Sequence, residues 1–162
     1  MRRCLPFFIL VLFVCFSCSS DLVNQVRKIS GSKISFDLTL TRMLNDSLNK
    51  QYRITADSTI KFVVLYDSTE CSLCRINMLD QYNDIFDLAN KIGAKFAPII
   101  IFSPAARQIR DIKYDLRNSK FTYPIYLDLN HEFCKLNPQI PLDRRFHAFL
   151  LNQKNDVVLV GN

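Results

Sequence analysis

The chain has 162 residues, enough for one domain and short for two. Hydrophobic residues make up 49% and charged residues 22%, a balance that excludes a disordered chain; three glycines disfavour a small barrel built on special backbone conformations. The formal charge is +6, but Lys and Arg are scattered among acids without a basic stripe, so no nucleic-acid partner is expected. Thirteen Phe and no Trp point to a core built on phenylalanine.

The chain opens with Met1-Arg2-Arg3, a short cationic start, and Leu5 to Phe16 is apolar throughout except for Cys15. At about twelve residues this stretch has the size of a signal-peptide core and falls short of the roughly twenty needed to span a bilayer. Cys15-Phe16-Ser17-Cys18-Ser19-Ser20 follows. A small residue directly before a cysteine at this point resembles the bacterial lipobox, in which the cysteine is acylated and becomes the new N-terminus. Ser17 makes Cys18 the lipidation candidate, since Val14 before Cys15 is too bulky for the cleavage position. The expected organisation is a signal peptide over 1–17, a lipidated tether over 18–30 and a folded domain over 31–162. That places the domain in the cell envelope, facing periplasm or cell surface and held to the inner or outer membrane by its lipid. Of the six cysteines, Cys71, Cys74 and Cys134 then remain for the domain, an odd count in an oxidising compartment.

Gly31 to Phe36 can form a short strand, and Leu38 to Asn49 reads as a short helix or a loop. Ile60 to Tyr66 is an apolar, β-rich run of the kind buried on both faces. Asp67-Ser68-Thr69-Glu70 interrupts it with capping or solvated side chains, and a helical pattern follows. Cys74, Met78, Leu79, Tyr82, Ile85, Phe86 and Ala89 recur at spacings of three and four until Gly93, a helix stop. Lys95 to Phe102 is a second buried strand, Ala105 to Asn118 a second helix, and Tyr123 to Leu127 a third strand. Asn130 to Leu136 offers a turn or two of helix. Phe146 to Leu151 and Val157 to Val160 are strands joined by a hairpin loop. This order predicts an α/β fold: parallel strands with crossover helices first, then an antiparallel edge.

The candidate site is Cys71-Ser72-Leu73-Cys74. Haem attachment needs His after the second cysteine, where Arg75 stands. A zinc site drawn from Cys71, Cys74, Cys134 and either His131 or His147 has no usual spacing, so no metal is expected. The motif lies directly after a buried strand, at the first turn of an amphipathic helix. There the helix N-terminus favours a thiolate on Cys71, the exposed nucleophile, while Cys74, one turn inward, is the shielded resolving thiol. A structural disulfide at a helix start is the other reading of the pair.

Tyr66 to Cys74 resembles the active-site segment of thioredoxin-like proteins. Phe146-His147-Ala148-Phe149-Leu150-Leu151-Asn152 is similar to the segment that faces it, and Tyr123-Pro124-Ile125-Tyr126-Leu127-Asp128 to the family's third strand. Within the family the chain looks most like exported, often lipid-anchored oxidoreductases of the TlpA and ResA type, over about Lys33 to Gly161. The resemblance implies a thioredoxin-like three-layer sandwich with a mixed central sheet and flanking helices. It implies thiol–disulfide exchange by Cys71 and Cys74, as a reductant or isomerase-like protein acting on protein disulfides. No bound cofactor is implied, only a membrane or periplasmic redox partner that resets the pair.

The chain departs from the family pattern at several places. The family's cis-proline position falls near Phe146, its tryptophan before the first cysteine is Glu70, and its buried acid is Leu65. A carboxylate at Glu70 is expected to disfavour the Cys71 thiolate. The family's closing helix is expected to be missing after Gly161-Asn162, leaving one sheet face open. His147 and Cys134 are auxiliary candidates beside Phe146. Each also reads as a buried side chain without chemistry, Cys134 through its neighbours Phe133 and Leu136. A non-catalytic binding lipoprotein and a peroxide-reducing enzyme are the competing functions; for the latter, Ser68 stands where a Thr is usual.

Overall fold

The computed structural model describes residues 21–44, 47–54 and 59–161. A helix over residues 21–29 (α1) leads to a hairpin of β1 (Leu40–Leu44) and β2 (Ser47–Tyr52). There follow β3 (Ile60–Tyr66), α2 (Ser72–Leu79), α3 (Asn83–Lys91), β4 (Phe96–Phe102), α4 (Ile109–Asn118), β5 (Ile125–Leu127) and α5 (Phe133–Leu136). β6 (Ala148–Leu151) and β7 (Val157–Val160) complete a sheet of order β2-β1-β5-β4-β3-β6-β7. β3, β4 and β5 are parallel; β6, β7, β1 and β2 add antiparallel flanks. The signal segment and Cys18 lie outside the described residues.

Strand alternation sorts the core into two layers. Val63, Leu65, Ile99 and Ile101 face a cluster that takes in Ile29 of α1, Ile34, Phe36 and Phe133. Val64, Tyr66, Ile100 and Phe102 face the opposite cluster, built with Ile76, Leu79, Phe86, Ile112 and Leu116 of the helices. Because both faces of β3 and β4 are covered, each is an apolar run, as parallel strands are, broken only by the buried Lys61 of β3. The result is the expected three-layer mixed sandwich.

Several local expectations are revised. Where a short helix or loop is expected over Leu38 to Asn49, Leu40–Leu44 is a strand that pairs with both β2 and β5, with Leu40 and Met43 buried. Gly31 to Phe36 makes only a bridge from Lys33 to Asp156, although Ile34 and Phe36 alternate into the core. Residues 21–29, part of the expected tether, form a helix whose Ile29 is fully buried. The long helix after the cysteines narrows to a 3-10 turn at Asp80–Tyr82, and its inward residues are Ile76, Leu79 and Phe86, with Tyr82 packed against them. Met78 and Ile85, expected inside, are 48% and 58% exposed. Gly93 ends α3 with φ 68°, a left-handed conformation that glycine adopts without strain.

The third strand, expected over Tyr123 to Leu127, is shortened to Ile125–Leu127, since Pro124 has no N–H to give a ladder. The loop between β6 and β7 is held by Asn152, whose Oδ1 accepts from the N–H groups of Lys154 and Asp156. On the α2 and α3 side, Leu150 is half-buried and its partner on β7, Leu159, is 60% exposed. No helix among the described residues is long and apolar enough to cross a membrane.

Candidate active site

β3 delivers the chain to the site and α2 receives it. Between them, Asp67 closes a turn: its Oδ1 accepts from the N–H and hydroxyl of Thr69, and its carbonyl accepts from the N–H of Glu70. Such turns are what Asp offers best, by competing with continued strand pairing. Cys71 then takes the N-cap of α2 in an extended conformation, and its sulfur accepts the Cys74 N–H at 3.3 Å. One of the orphan donors of the helix start is thereby spent on sulfur, an arrangement that favours negative charge there.

Both cysteines are exposed, which revises the shielded role expected for Cys74. The inward face of α2 is set by Ile76 and Leu79, and Cys74 falls on the other side of the helix. The two thiols still differ electrically. The hydrogen bond to Cys71 is the main cause that raises the Cys74 pKa, followed by desolvation and the charge of Cys71. Cys74 therefore keeps its proton while Cys71 receives a donor.

Glu70 is not the bare carboxylate next to the sulfur that the sequence suggested. It is turned inward, 6% exposed, and Arg75 Nε lies 2.6 Å from its Oε2. The Arg75 guanidinium also sits 5.5 Å above the Tyr66 ring. Burial alone strongly disfavours an unpaired carboxylate, so Arg75 is what allows Glu70 to be there. Its charge is answered locally, which weakens the expected effect on the Cys71 thiolate.

His147 precedes β6, and its carbonyl accepts the Leu65 N–H at 2.9 Å, which fixes it to the end of β3 beside the site. The residue is 6% exposed, and its Nε2 lies 3.0 Å from the Pro141 carbonyl oxygen. Donor atoms of His147, Asp67 and Glu70 all lie within 4.8 Å of one another. Glu70 and His147 also line a cavity of about 440 Å³ with Arg75, Arg144, Tyr66 and Tyr82. Burial works to raise the Asp67 carboxyl, but the Thr69 hydrogen bonds outweigh it, assisted by Arg144 and His147, and hold it below its ordinary value.

The other auxiliary candidates fare differently. Cys134 on α5 is exposed, not a buried packing residue; Phe133 takes the inward position and Leu136 is 39% exposed. Desolvation, then Asp128, then Asp67 push its thiol up, so Cys134 stands within electrostatic reach of the site's first acid. Phe146 is buried and shares an apolar hollow with Leu22, Val23, Val26 and Arg27 of α1. Sequence reasoning missed Arg75 and Arg144. Arg75 is five residues from Glu70, a spacing without helical meaning. Arg144 donates to the Thr69 hydroxyl at 2.8 Å across a long sequence gap that only the fold closes.

No family model and no curated protein matches the chain. Solved structures do match it. A thioredoxin-like protein in its oxidised form is 14% identical with TM-score 0.53, over 80% of this chain and 85% of that one. A protein assigned as thiol:disulfide interchange protein DsbE from Chlorobium tepidum is 12% identical with TM-score 0.55, over 82% and 86%. Peroxiredoxin Q from Xanthomonas campestris is 12% identical with TM-score 0.55, over 80% and 84%. Together with the sheet order and the layers, these likenesses show that the chain has the thioredoxin-like fold.

Proposed function

We propose that the protein is a thiol–disulfide oxidoreductase of the cell envelope, acting on protein disulfides through Cys71 and Cys74. The observation that carries this reading is Cys71 at the N-cap of α2, its sulfur accepting the Cys74 N–H, with both sulfurs open to a substrate. The fold alone does not choose the chemistry, since it is shared with a peroxiredoxin as well as with a protein named for disulfide interchange.

In the reductive direction, the Cys71 thiolate attacks one sulfur of a substrate disulfide. A Cys71–substrate bond forms, the substrate S–S bond breaks, and the departing sulfur takes up a proton. Cys74 then loses its proton and attacks the Cys71 sulfur, closing the Cys71–Cys74 disulfide and releasing the second substrate thiol. The substrate gains two electrons and the pair loses two, so a partner dithiol must reset the protein. The raised Cys74 pKa suits this order, because the resolving thiol stays protonated until the mixed disulfide has formed. Lipid on Cys18 would hold the domain at a membrane.

Insulin reduction by wild type and by Cys71→Ser, with the reduction potential of the Cys71–Cys74 disulfide, tests the reading. Turnover abolished in the variant, with a potential near the glutathione range of about −220 to −260 mV, is the expected result. A much lower potential with no wild-type turnover would assign the pair a structural role. Palmitate incorporation in the producing bacterium is expected to disappear in Cys18→Ala; label retained there would refute the anchor.

A further inference from the structure

We infer that Asp67, Glu70 and His147 form a binding site for a divalent transition-metal ion beside the cysteine pair, built independently of the thiols. Their donor atoms lie within 4.8 Å of one another, close enough to converge on a single ion. One imidazole nitrogen with two carboxylate oxygens suits zinc and its first-row neighbours, and three protein ligands leave a position for water.

Proximity of acids would not by itself make a site, and His147 supplies the second observation. Its Nε2 faces the Pro141 carbonyl, which can only accept, so Nε2 carries the proton. Binding a metal ion takes the ring neutral, and Nδ1 is then its lone-pair donor. That atom is buried and has no hydrogen-bond partner. A buried acceptor left unmet costs about 1–3 kcal/mol, a cost that a metal ion would remove. Metal-bound histidines are commonly oriented in this way, the other ring nitrogen donating to a carbonyl.

The carboxylates are prepared in the same manner. Arg75 holds Glu70 through Oε2, leaving Oε1, and Thr69 holds Asp67 through Oδ1, leaving Oδ2. The guanidinium of Arg144, about half exposed, approaches Asp67 Oδ2 only to 4.0 Å and is held instead by the Thr69 hydroxyl at 2.8 Å. Glu70 and His147 reach the 440 Å³ cavity, which gives the ion a way in.

A CxxC pair binds zinc on its own account, so the test removes the sulfur. The full chain in detergent, with its six cysteines replaced by serine, is titrated with Zn²⁺ by calorimetry and with Co²⁺ by visible absorption. One ion per chain, visible cobalt bands from nitrogen and oxygen ligands, and a rise in Tm with Zn²⁺ are expected. In that background His147→Ala and Asp67→Asn should each weaken binding by at least about tenfold. His147→Ala empties a buried position, so circular dichroism checks its fold; Asp67→Asn alters a partly exposed turn and stands as the second variant. Failure of the thiol-free chain to bind either ion, or unchanged binding in Asp67→Asn, overturns the assignment. Neither result bears on disulfide exchange, which is measured on the cysteines.

Discussion

Cys74→Ser is expected to stop turnover at the mixed disulfide. The backbone N–H that Cys74 gives to the Cys71 sulfur remains when the side chain changes, so the N-cap geometry and the first attack survive. A serine hydroxyl does not displace a thiol from sulfur, so the Cys71–substrate bond persists. Incubated with insulin or an oxidised peptide, the variant should accumulate a covalent adduct visible by non-reducing mass spectrometry and lost on addition of dithiothreitol. Cys71→Ser, which lacks the sulfur held at the N-cap of α2, should form none at that position. Wild-type turnover in Cys74→Ser would mean that another thiol resolves the intermediate. Cys134, an exposed thiol outside the pair, would then be the residue to examine.

The largest loss of stability is expected at Phe86. Its ring is 1% exposed and has ring centroids of Phe62, Tyr82, Phe96, Phe121 and Tyr123 at 5.0 to 6.4 Å. These rings come from β3, the 3-10 turn, β4 and the segment leading to β5, so Phe86 joins the helical layer to the sheet at one point. Phe86→Ala should cost about 3–5 kcal/mol, the range for emptying a buried aromatic position. A fall in Tm of about 10 °C or more follows for a domain of this size. Ile85→Ala, one residue away and more than half exposed, should change stability by no more than about 0.5 kcal/mol. Urea unfolding of the two variants decides between this packing and the stripe read from sequence, in which both residues face the core.

What could be read in advance follows the physics of each segment. β3 and β7 match their sequence limits because apolar, β-branched runs bounded by turn residues have few other uses. β1 and β2 were missed because Leu38, Leu40, Met43, Leu44 and Leu48 fit a helical face on paper; only pairing with β5 decides for strand. Cys71 was placed correctly by local grammar, a strand end followed by a helix start. Cys74, expected inside, faces out because the inward face is set by Ile76, two residues and about 200° of helix further on. The burial of Glu70 depends on Arg75, and the meeting of His147 with Asp67 depends on the antiparallel pairing of β3 with β6. Neither contact has a sequence signature, because each is made by tertiary structure.

The hydrogen bond from Leu65 to the His147 carbonyl has a mechanical consequence. It ties the start of β6 to β3, which ends at Tyr66 directly before Asp67, so bending or twisting of the sheet carries both sides of the site in common. Distances between His147 and the acids are thereby insulated from motions of the scaffold. They respond instead to the short turn from Asp67 to Cys71.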